Sequence, residues 1–206
     1  MSAESPEIRA VVLEAAGVRL EPLGPEHREG LARAADHEAI WAHMPLPGFG
    51  AHFGTWFDMS LAIAQSDREA VWAVRTLADN RLVGSTRYLT IDAAHRRVEV
   101  GHTWYDPAVW ATTVNLACKF ALFRHGFETL GLNRIELKTD SLNTRSQAAI
   151  AKLGAVREGV FRAHMVRRDG SLRDSVYFSV VRSDWPAVRQ RLASRLGLDV
   201  PASLSE

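Results

Sequence analysis

NRIELKTDSLNTRSQAAIAKLGAVREGVFRA, residues 133–163, is the stretch on which the fold prediction depends. Its first residues alternate between apolar and charged side chains, with Ile135 and Leu137 on one face, which predicts a strand. Asn143 is then placed to cap a helix that carries an apolar stripe and ends at Gly154. A second strand follows at once, so the stretch predicts a strand, a helix and a strand in succession.

A polar corner joins the first of these strands to the helix. The segment 140–143, with the sequence DSLN, lies between a predicted buried strand and a helix N-terminus. At a helix N-terminus backbone N–H groups point outward and the helix dipole is positive. The corner is therefore a natural point of contact for a ligand.

The rest of the chain surrounds this unit with further strands and helices. Strands are expected at 10–23 (two short ones), 71–77, 82–92, 98–105, 133–139, 155–166 and 173–182, and helices at 25–44, 55–66, 109–127, 144–153 and 184–196. Asp169-Gly170 is a strong turn signal that closes the last hairpin. We expect one domain over 10–196, with a disordered N-terminus at 1–9 and a flexible C-terminal tail at 197–206.

This order of elements predicts an α+β fold. Three successive strands form an antiparallel meander, and the strand–helix–strand crossover that follows makes a central parallel pair. The result is a single mixed, mostly antiparallel sheet flanked by helices. Ligands favour the carboxyl ends of strands where the connections change direction, which here brings 101–115 opposite 140–146.

Composition narrows the functional classes. The 206 residues include 25 basic and 24 acidic side chains, and the resulting net charge of +1 calls for neither a nucleic-acid partner nor an anionic membrane. No apolar stretch approaches the roughly 20 residues that a membrane-spanning helix needs. The single Cys118 excludes an internal disulfide, and the N-terminus lacks a secretory pattern, so we expect a cytoplasmic protein.

Three phrases of the sequence resemble a known family. VEVGHTWYDPAVW, LNRIELKTDSLNTRSQAAIAKLGA, and REGVFRAH with DGSLRDSVYFSV are similar to the GNAT superfamily of acetyl-CoA-dependent N-acetyltransferases. Within it they are most similar to the ribosomal-protein N-terminal acetyltransferases, the RimJ/RimL-like branch. The resemblance covers about 17–183 and implies a GNAT-like acyl-CoA N-acyltransferase fold with acetyl-CoA as cosubstrate.

The resemblance also implies where acetyl-CoA binds. The two parallel strands splay apart, and the pantetheine arm lies between them on the main chain of His102, Thr103 and Trp104. The pyrophosphate lies on the following loop, which here consists of Trp110, Ala111, Thr112, Thr113, Val114 and Asn115. Asn143 matches a family asparagine that contacts the cosubstrate, and Ser146 matches a helix serine near its thiol end.

The sequence differs from the family pattern in two parts of this site. Ala111 and Thr113 replace the glycines of the usual pyrophosphate loop. Alanine still allows a close backbone approach, and the hydroxyls of Thr112 and Thr113 can donate to phosphate. The tyrosine that often serves the family as a proton donor is Ile150 here.

Candidate catalytic residues follow from the chemistry of amine acetylation. An α-amino group has a pKa of about 7.7–8.0, so a base need only assist modestly. Glu99 is the candidate base, directly or through water; the alternative is a solvated or paired strand glutamate. Ser146 is a candidate proton donor or a plain capping serine, and Tyr177 is a candidate acid or a hairpin core residue.

The sequence indicates the acceptor pocket less clearly than the cosubstrate site, and it contains no pattern typical of a metal site or a cysteine nucleophile. Phe49, His52, Phe53 and Trp56 either line the acceptor pocket or form a lid packed over the sheet edge. The histidines show no metal-ligand spacing, so no metal is expected. Cys118 lies among apolar residues, which favours direct transfer in a ternary complex over a covalent acetyl-enzyme.

The sequence thus predicts an N-acetyltransferase that acts on a primary amine, either a protein N-terminus such as that of a ribosomal protein, or a small amine. A catalytically weak or inactive acyl-CoA-binding module is one alternative. A ribosome- or RNA-associated protein is another, because the C-terminal part is rich in arginine at positions 157, 162, 167, 168, 173, 182, 189, 191 and 195. We also expect a homodimer built from an exposed sheet edge or the hairpin.

Overall fold

A computed structural model of the protein describes residues 6–66 and 68–201. Parts of both predicted disordered ends, 6–9 and 197–201, fall within these ranges, whereas 1–5 and 202–206 lie outside the described residues. Ile8 is buried against the core, and the Pro201 carbonyl accepts a hydrogen bond of 2.7 Å from Arg189. The domain boundaries at 10 and 196 stay predictions.

Eight strands make up one sheet in the described part of the chain. They are β1 (Leu13–Ala15), β2 (Val18–Pro22), β3 (Ala70–Thr76), β4 (Arg81–Asp92), β5 (Arg97–Tyr105), β6 (Arg134–Asp140), β7 (Val156–Val166) and β8 (Leu172–Val181). Neighbours in the sheet follow the order β1-β2-β3-β4-β5-β6-β8-β7. Only the β5–β6 pair among these neighbours is parallel. The predicted α+β fold with a mixed sheet and a central parallel pair is confirmed.

Helices flank both faces of this sheet. They are α1 (Arg28–Ala35), α2 (Phe53–Gln65), α3 (Val114–Arg124), α4 (Thr144–Leu153) and α5 (Trp185–Leu196). One face of the sheet packs against α3, α4 and α5, and the other packs against α1 and α2. Helix α3 is buried on almost every side, since it lies between β1, β2 and α5. No helix in the described ranges is both long and apolar enough to cross a membrane.

Two predicted helices have different limits in the structure. The predicted helix 25–44 is wrong beyond Ala35, because the chain folds back there to bury Trp41. The Trp41 indole Nε1 donates a 2.9 Å hydrogen bond to the Ala35 carbonyl and so satisfies the end of the helix. The predicted helix 109–127 begins at Val114 instead and continues as a π-turn through Thr129. Apolar spacing alone does not reveal either change.

The sheet positions the site through the way β5 and β6 separate. Their parallel pairing is confined to Arg97–Glu99 against Arg134–Glu136. Beyond Glu99 the pairing stops, while β6 continues to pair with β8 as far as Asp140. The two strands therefore open a gap at their carboxyl ends, between α3 and α4.

Candidate active site

A cleft of about 680 Å³ occupies the gap between β5 and β6. Its walls come from the end of β5, the loop that leads into α3, the end of β6, and α4. Ten of the predicted site residues line it: Glu99, His102, Thr103, Trp104, Trp110, Ala111, Thr112, Asn115, Asn143 and Ser146. Thr113, which is exposed, and Val114, which is buried in the core, do not.

The loop before α3 adopts a glycine-like conformation without glycine. Ala111 has a φ of 61°, in the left-handed region that favours glycine. The Trp110 indole donates to the Tyr105 carbonyl at 2.9 Å, and the Thr112 hydroxyl donates to the Val109 carbonyl at 2.7 Å. The Thr112 hydroxyl is thus used within the loop, and the loop leads directly into the N-terminus of α3 at Val114.

Basic side chains surround the same end of the cleft; two of them, Arg145 and Lys152, were not predicted as site residues, and Arg195 was named only among the C-terminal arginines. Arg145 and Lys152 line the cleft from α4, and Arg195 lines it from α5. The Arg145 guanidinium lies 4.2 Å from the Trp110 ring centroid, and Arg195 donates to the Lys152 carbonyl at 2.7 Å. The heptad spacing of Arg145 and Lys152, which puts both on one side of α4, was the available signal.

The wall formed by α4 is held by its capping residue. The Asn143 side-chain oxygen accepts a 3.0 Å hydrogen bond from the Ser146 N–H, so Asn143 caps the helix while it lines the cleft. Ser146 is half-buried in the first turn of α4. Ile150, at the position of the family tyrosine, is buried and also lines the cleft.

Glu99 lies at the point where β5 and β6 diverge. It is 4% exposed, and its carboxylate accepts a 2.9 Å hydrogen bond from Lys138 Nζ. Burial raises the pKa of Glu99, although the charge of Lys138 acts against this. Gly101 packs closely on this carboxylate, since a Cβ there would lie 3.0 Å from Glu99 Oε1 and 2.9 Å from Leu89 Cδ2. The site holds a buried carboxylate in a restricted position.

His102 follows in an irregular part of β5. Its φ of 47° lies in the left-handed region, where the β4–β5 register shifts. Burial, together with the charges of Arg87, Lys138 and Arg173, lowers the pKa of His102 to about 4. His102 is therefore neutral at pH 7, in a region of positive potential.

Lys119 is a further cleft residue that the sequence analysis did not single out. It is 5% exposed on α3, and its Nζ donates a 3.0 Å hydrogen bond to the Thr103 hydroxyl. The Thr103 hydroxyl is also 2.8 Å from that of Thr86. Burial lowers the pKa of Lys119 to about 8. A lysine inside the apolar pattern of α3 was the signal in the sequence.

Tyr177 lies in a neighbouring pocket rather than in the cleft. That pocket, of about 470 Å³, also includes Glu99 and Lys138 in its wall. The Tyr177 ring stacks on Phe161 with centroids 4.3 Å apart, and Lys138 Nζ lies 6.0 Å from the ring. Glu99 therefore stands between the two cavities, with Tyr177 on the side away from the loop before α3.

The predicted acceptor-pocket aromatics lie outside both cavities. Phe53 and Trp56 are buried, and the Trp56 ring packs against Trp41 and Trp104 at 5.6 and 5.3 Å between centroids. Phe49 is half-buried and His52 is exposed. This arrangement agrees with packing over the sheet. The cleft is lined on this side by residues that the sequence analysis did not select: Ala39, Ile40, His43, Met44 and Pro45.

Two other predicted features concern alternative chemistry. Cys118 is fully buried in α3, and burial raises its pKa to about 11, so the thiolate is scarce at neutral pH. Within the described ranges, no group of three or more His, Cys, Asp or Glu side chains is arranged to hold a metal ion.

The C-terminal arginines serve separate local contacts. Side chains of Arg167, Arg168, Arg182, Arg189 and Arg195 donate to acceptors within the protein. Arg173 is buried in the cleft wall. Arg157, Arg162 and Arg191 are exposed.

Comparison with known proteins relates this geometry to a family. The acetyltransferase (GNAT) domain matches residues 18–156. The uncharacterized N-acetyltransferase YoaA of Bacillus subtilis (strain 168) is 27% identical over 121 residues, which span 59% of this chain and 67% of that protein. YdaF of the same organism, provisionally named a ribosomal N-acetyltransferase, is 28% identical over 53% of this chain and 58% of its own length.

Solved structures share the fold over nearly the whole chain. A GCN5-related N-acetyltransferase from Brucella melitensis is 29% identical with a TM-score of 0.87, covering 95% of this chain and 90% of that one. RimJ from Mycobacterium smegmatis, solved with CoA-disulfide, is 21% identical with a TM-score of 0.75, covering 93% of this chain and 97% of that one. These relatives are consistent with the predicted RimJ/RimL-like branch.

Proposed function

Because this chain belongs to the GNAT acetyltransferase family, we propose that it transfers the acetyl group of acetyl-CoA to a primary amine. The observation that carries the proposal is the position of Glu99. A buried carboxylate with a raised pKa stands where two parallel strands separate, at the inner end of a cleft. A base at that point can take a proton from an amine that enters between the strands.

The residues of the cleft fit acetyl-CoA. The left-handed Ala111 keeps the glycine-like shape of the loop before α3, and the helix N-terminus offers backbone N–H groups to a pyrophosphate. Arg145, Lys152 and Arg195 add positive charge at that end. The irregular backbone of 102–104 and the cap Asn143 line the middle of the cleft, where a pantetheine arm needs polar partners.

Bound acetyl-CoA would supply an activated acetyl thioester. Acetyl transfer forms an N–C bond and breaks the C–S bond, while the amine gives up one proton and the departing thiolate takes up one. Glu99 is our candidate to accept the amine proton, directly or through a water molecule, and Lys138 holds its carboxylate in position.

Two side chains are candidates for the proton donor in place of the missing tyrosine. Ser146 lines the cleft from α4, and Lys119 lines it from α3. The Lys119 pKa of about 8 suits proton donation near neutral pH. The buried Cys118, with its pKa of about 11, favours direct transfer in a ternary complex over an acetyl-cysteine intermediate.

The acceptor and the assembly belong to the same proposal. The provisional name of YdaF and the RimJ likeness support a protein N-terminus as acceptor, and a small amine is the other class we consider. We propose a homodimer in which the edge strand β7 takes part, because β7 exposes apolar side chains. A single buried cysteine agrees with a reducing compartment such as the cytoplasm.

The test separates an enzyme from a binding module. Calorimetry with acetyl-CoA measures binding, and a thiol-reactive dye measures CoA release with peptide N-termini and small amines as acceptors. We expect micromolar binding and acceptor-dependent thiol release. Tight binding without release on any acceptor would favour the inactive acyl-CoA-binding alternative. Salt-sensitive RNA binding without acetyl-CoA binding would favour the RNA-associated alternative.

A further inference from the structure

Arg173 is a buried guanidinium in the wall of the cleft. It is 9% exposed, and its Nε is buried without a hydrogen-bond partner in the described structure. The acidic group that comes within salt-bridge distance is Asp140, whose Oδ2 lies 3.9 Å from Arg173 Nε. That distance is at the outer limit of an ion pair. Burying a guanidinium without full compensation is costly, so its retention here needs an explanation.

The carboxylates around Arg173 are already committed to other cations. Asp140 accepts bonds of 2.7 and 2.8 Å from Nε and Nη2 of Arg167, which lower its pKa to about 2. Glu99 accepts a 2.9 Å bond from Lys138 Nζ. Each of these two carboxylates therefore has a closer basic partner than Arg173.

The charge of Arg173 reaches into the cleft. His102 lines the same cavity, and Arg173 is among the cations that lower its pKa, together with Arg87 and Lys138. Arg87 itself pairs with Glu69 at 3.0 Å and donates to the Ser60 hydroxyl of α2 at 2.6 Å. Arg173 is thus an incompletely paired guanidinium whose charge acts on a residue of the cleft.

Arg173 lies on the opposite face of the sheet from the phosphate end. Along β8, Val176 and Phe178 face the core that contains α3 and α4, whereas Ser175 and Tyr177 face the other side. The alternation of side chains along a strand puts Arg173 with Ser175 and Tyr177. The loop before α3 and the basic residues of α4 belong to the first face. Arg173 is therefore available to the acceptor and not to the CoA phosphates.

Resting on the acetyl transfer proposed above, we infer that the acceptor is an amine that also carries a carboxylate, and that Arg173 binds this carboxylate. A buried guanidinium without a close anionic partner suits a monoanion, and its planar shape suits the two oxygens of a carboxylate. The acceptor nitrogen then faces Glu99, whose charge is close enough to Arg173 for the two to interact. Ile40, Met44 and Met165 line the same cavity and can contact an apolar part of the acceptor.

The test compares amino acids with amino alcohols of the same carbon skeleton, such as methionine with methioninol and 4-aminobutyrate with 4-aminobutanol. Each pair keeps a basic amine and differs in the carboxylate. We expect kcat/KM to favour at least one amino acid by roughly 100-fold over its alcohol in the wild-type enzyme, as for a buried charge-assisted pair. R173M should remove this preference, because it should lower kcat/KM for the amino acid far more than for the alcohol.

A control variant and a binding measurement make the outcome decisive. R162M removes the same charge from an exposed position of β7 and should keep the preference. Calorimetry with the amino acid and desulfo-CoA, which cannot react, should show binding that R173M weakens by roughly 100-fold and R173K restores in part. In wild-type protein the bound carboxylate should also raise the His102 pKa from about 4, followed by NMR.

The results distinguish this inference from the proposed function. Equal kcat/KM for every acid and its alcohol, or an equal loss for both in R173M, would overturn the carboxylate site while acetyl transfer stands. No thiol release with any amine, together with Arg173-dependent binding of an amino acid, would support the site and remove the enzyme proposal. If R173M does not fold, R173K takes its place, and an unchanged preference and unchanged amino-acid affinity in R173K would overturn the role of Arg173.

Discussion

At the scale of single residues, Glu99 and Gly101 depend on one another. The Glu99 carboxylate is buried at the last position of β5 that pairs with β6. It lies so close to Gly101 that a Cβ there would be 3.0 Å from Oε1. Burial raises the pKa of Glu99, so a larger share is protonated at mildly acidic pH than for an exposed glutamate. If Glu99 is the base, activity requires its ionised form.

We predict that Glu99→Gln lowers kcat by about 100- to 1,000-fold, because general base catalysis is lost. The affinity for acetyl-CoA, measured by calorimetry, should change little, since Glu99 lies at the inner end of the cleft. In wild-type enzyme kcat/KM should fall as pH decreases through the raised pKa of Glu99. An acid limb that persists unchanged in the variant would contradict the assignment.

The burial of Lys119 leads to a prediction of how the stability of the protein depends on pH. Burial lowers its pKa from 10.5 to about 8 in the folded protein. The unfolded chain therefore binds more protons between these pH values, and wild-type stability should rise from pH 8 towards 10.5. Below pH 8 the lysine is charged in both the folded and the unfolded state, so the full free-energy cost of burying its charge lowers the stability. At about 1.4 kcal/mol per pH unit the penalty is about 3 kcal/mol.

Lys119→Met should therefore increase the free energy of unfolding by about 3 kcal/mol at pH 7, because a side chain of similar size carries no charge. Urea denaturation at pH 7 and at pH 10 measures the effect. The difference between variant and wild type should shrink at the higher pH. A variant that is less stable at pH 7 would show that the ammonium is well compensated. Reduced turnover in the stabilised variant would support Lys119 as a proton donor.

At the scale of elements, α4 combines a structural cap with a cleft wall. Asn143→Ala should destabilise the protein by about 1 kcal/mol through loss of the bond to the Ser146 N–H. It should also weaken acetyl-CoA binding. Asn143→Ser keeps a capping oxygen, so it should recover most of the stability and not the affinity. Full recovery of both, by thermal melts and calorimetry, would mean that Asn143 acts only as a cap.

In the loop before α3, an alanine occupies a backbone conformation that glycine prefers. Ala111→Gly removes the steric cost of a φ of 61°, and we expect a stability gain of about 0.5–1 kcal/mol. The affinity for acetyl-CoA should be kept or raised, because glycine allows a closer backbone approach. A clear loss of affinity would show that the Ala111 methyl group contacts the cosubstrate.

At the scale of the whole molecule, β7 is the exposed edge of the sheet. It lies at the end of the strand order and exposes Val156, Val160, Phe161 and Val166. Such an apolar edge favours pairing with a second chain. Light scattering on a size-exclusion column should give the mass of a dimer for the wild-type protein.

Val160→Lys should shift this dimer towards monomer at micromolar concentration, because association would bury a charge. Val12→Lys, at an exposed position near the opposite edge of the sheet, is the matched control and should leave the mass unchanged. A monomeric wild-type protein would refute the homodimer proposal. Equal dissociation by both variants would move the interface away from β7.

Much of the fold follows from local patterns. Alternation in 133–139, the cap at Asn143 and the Asp169-Gly170 turn each depend on neighbouring residues, and the structure places them as predicted. The end of α1 at Ala35 was not predictable in this way, because a distant contact decides it. Trp41 returns to the helix end only when the sheet face is present to bury its ring.

The candidate site likewise has one part that local patterns predict and another that they do not. The sequence by itself determined the strand–helix–strand unit, the polar corner, and the side chains of β5, α3 and α4 that line a common cleft, because period, capping and chain order are local properties. Only the tertiary structure decided that Lys119 and Arg173 join them, and that Tyr177 lies in a second pocket. Their environments depend on strand register, on burial and on which charges are already paired, and these arise only when distant segments of the chain pack together.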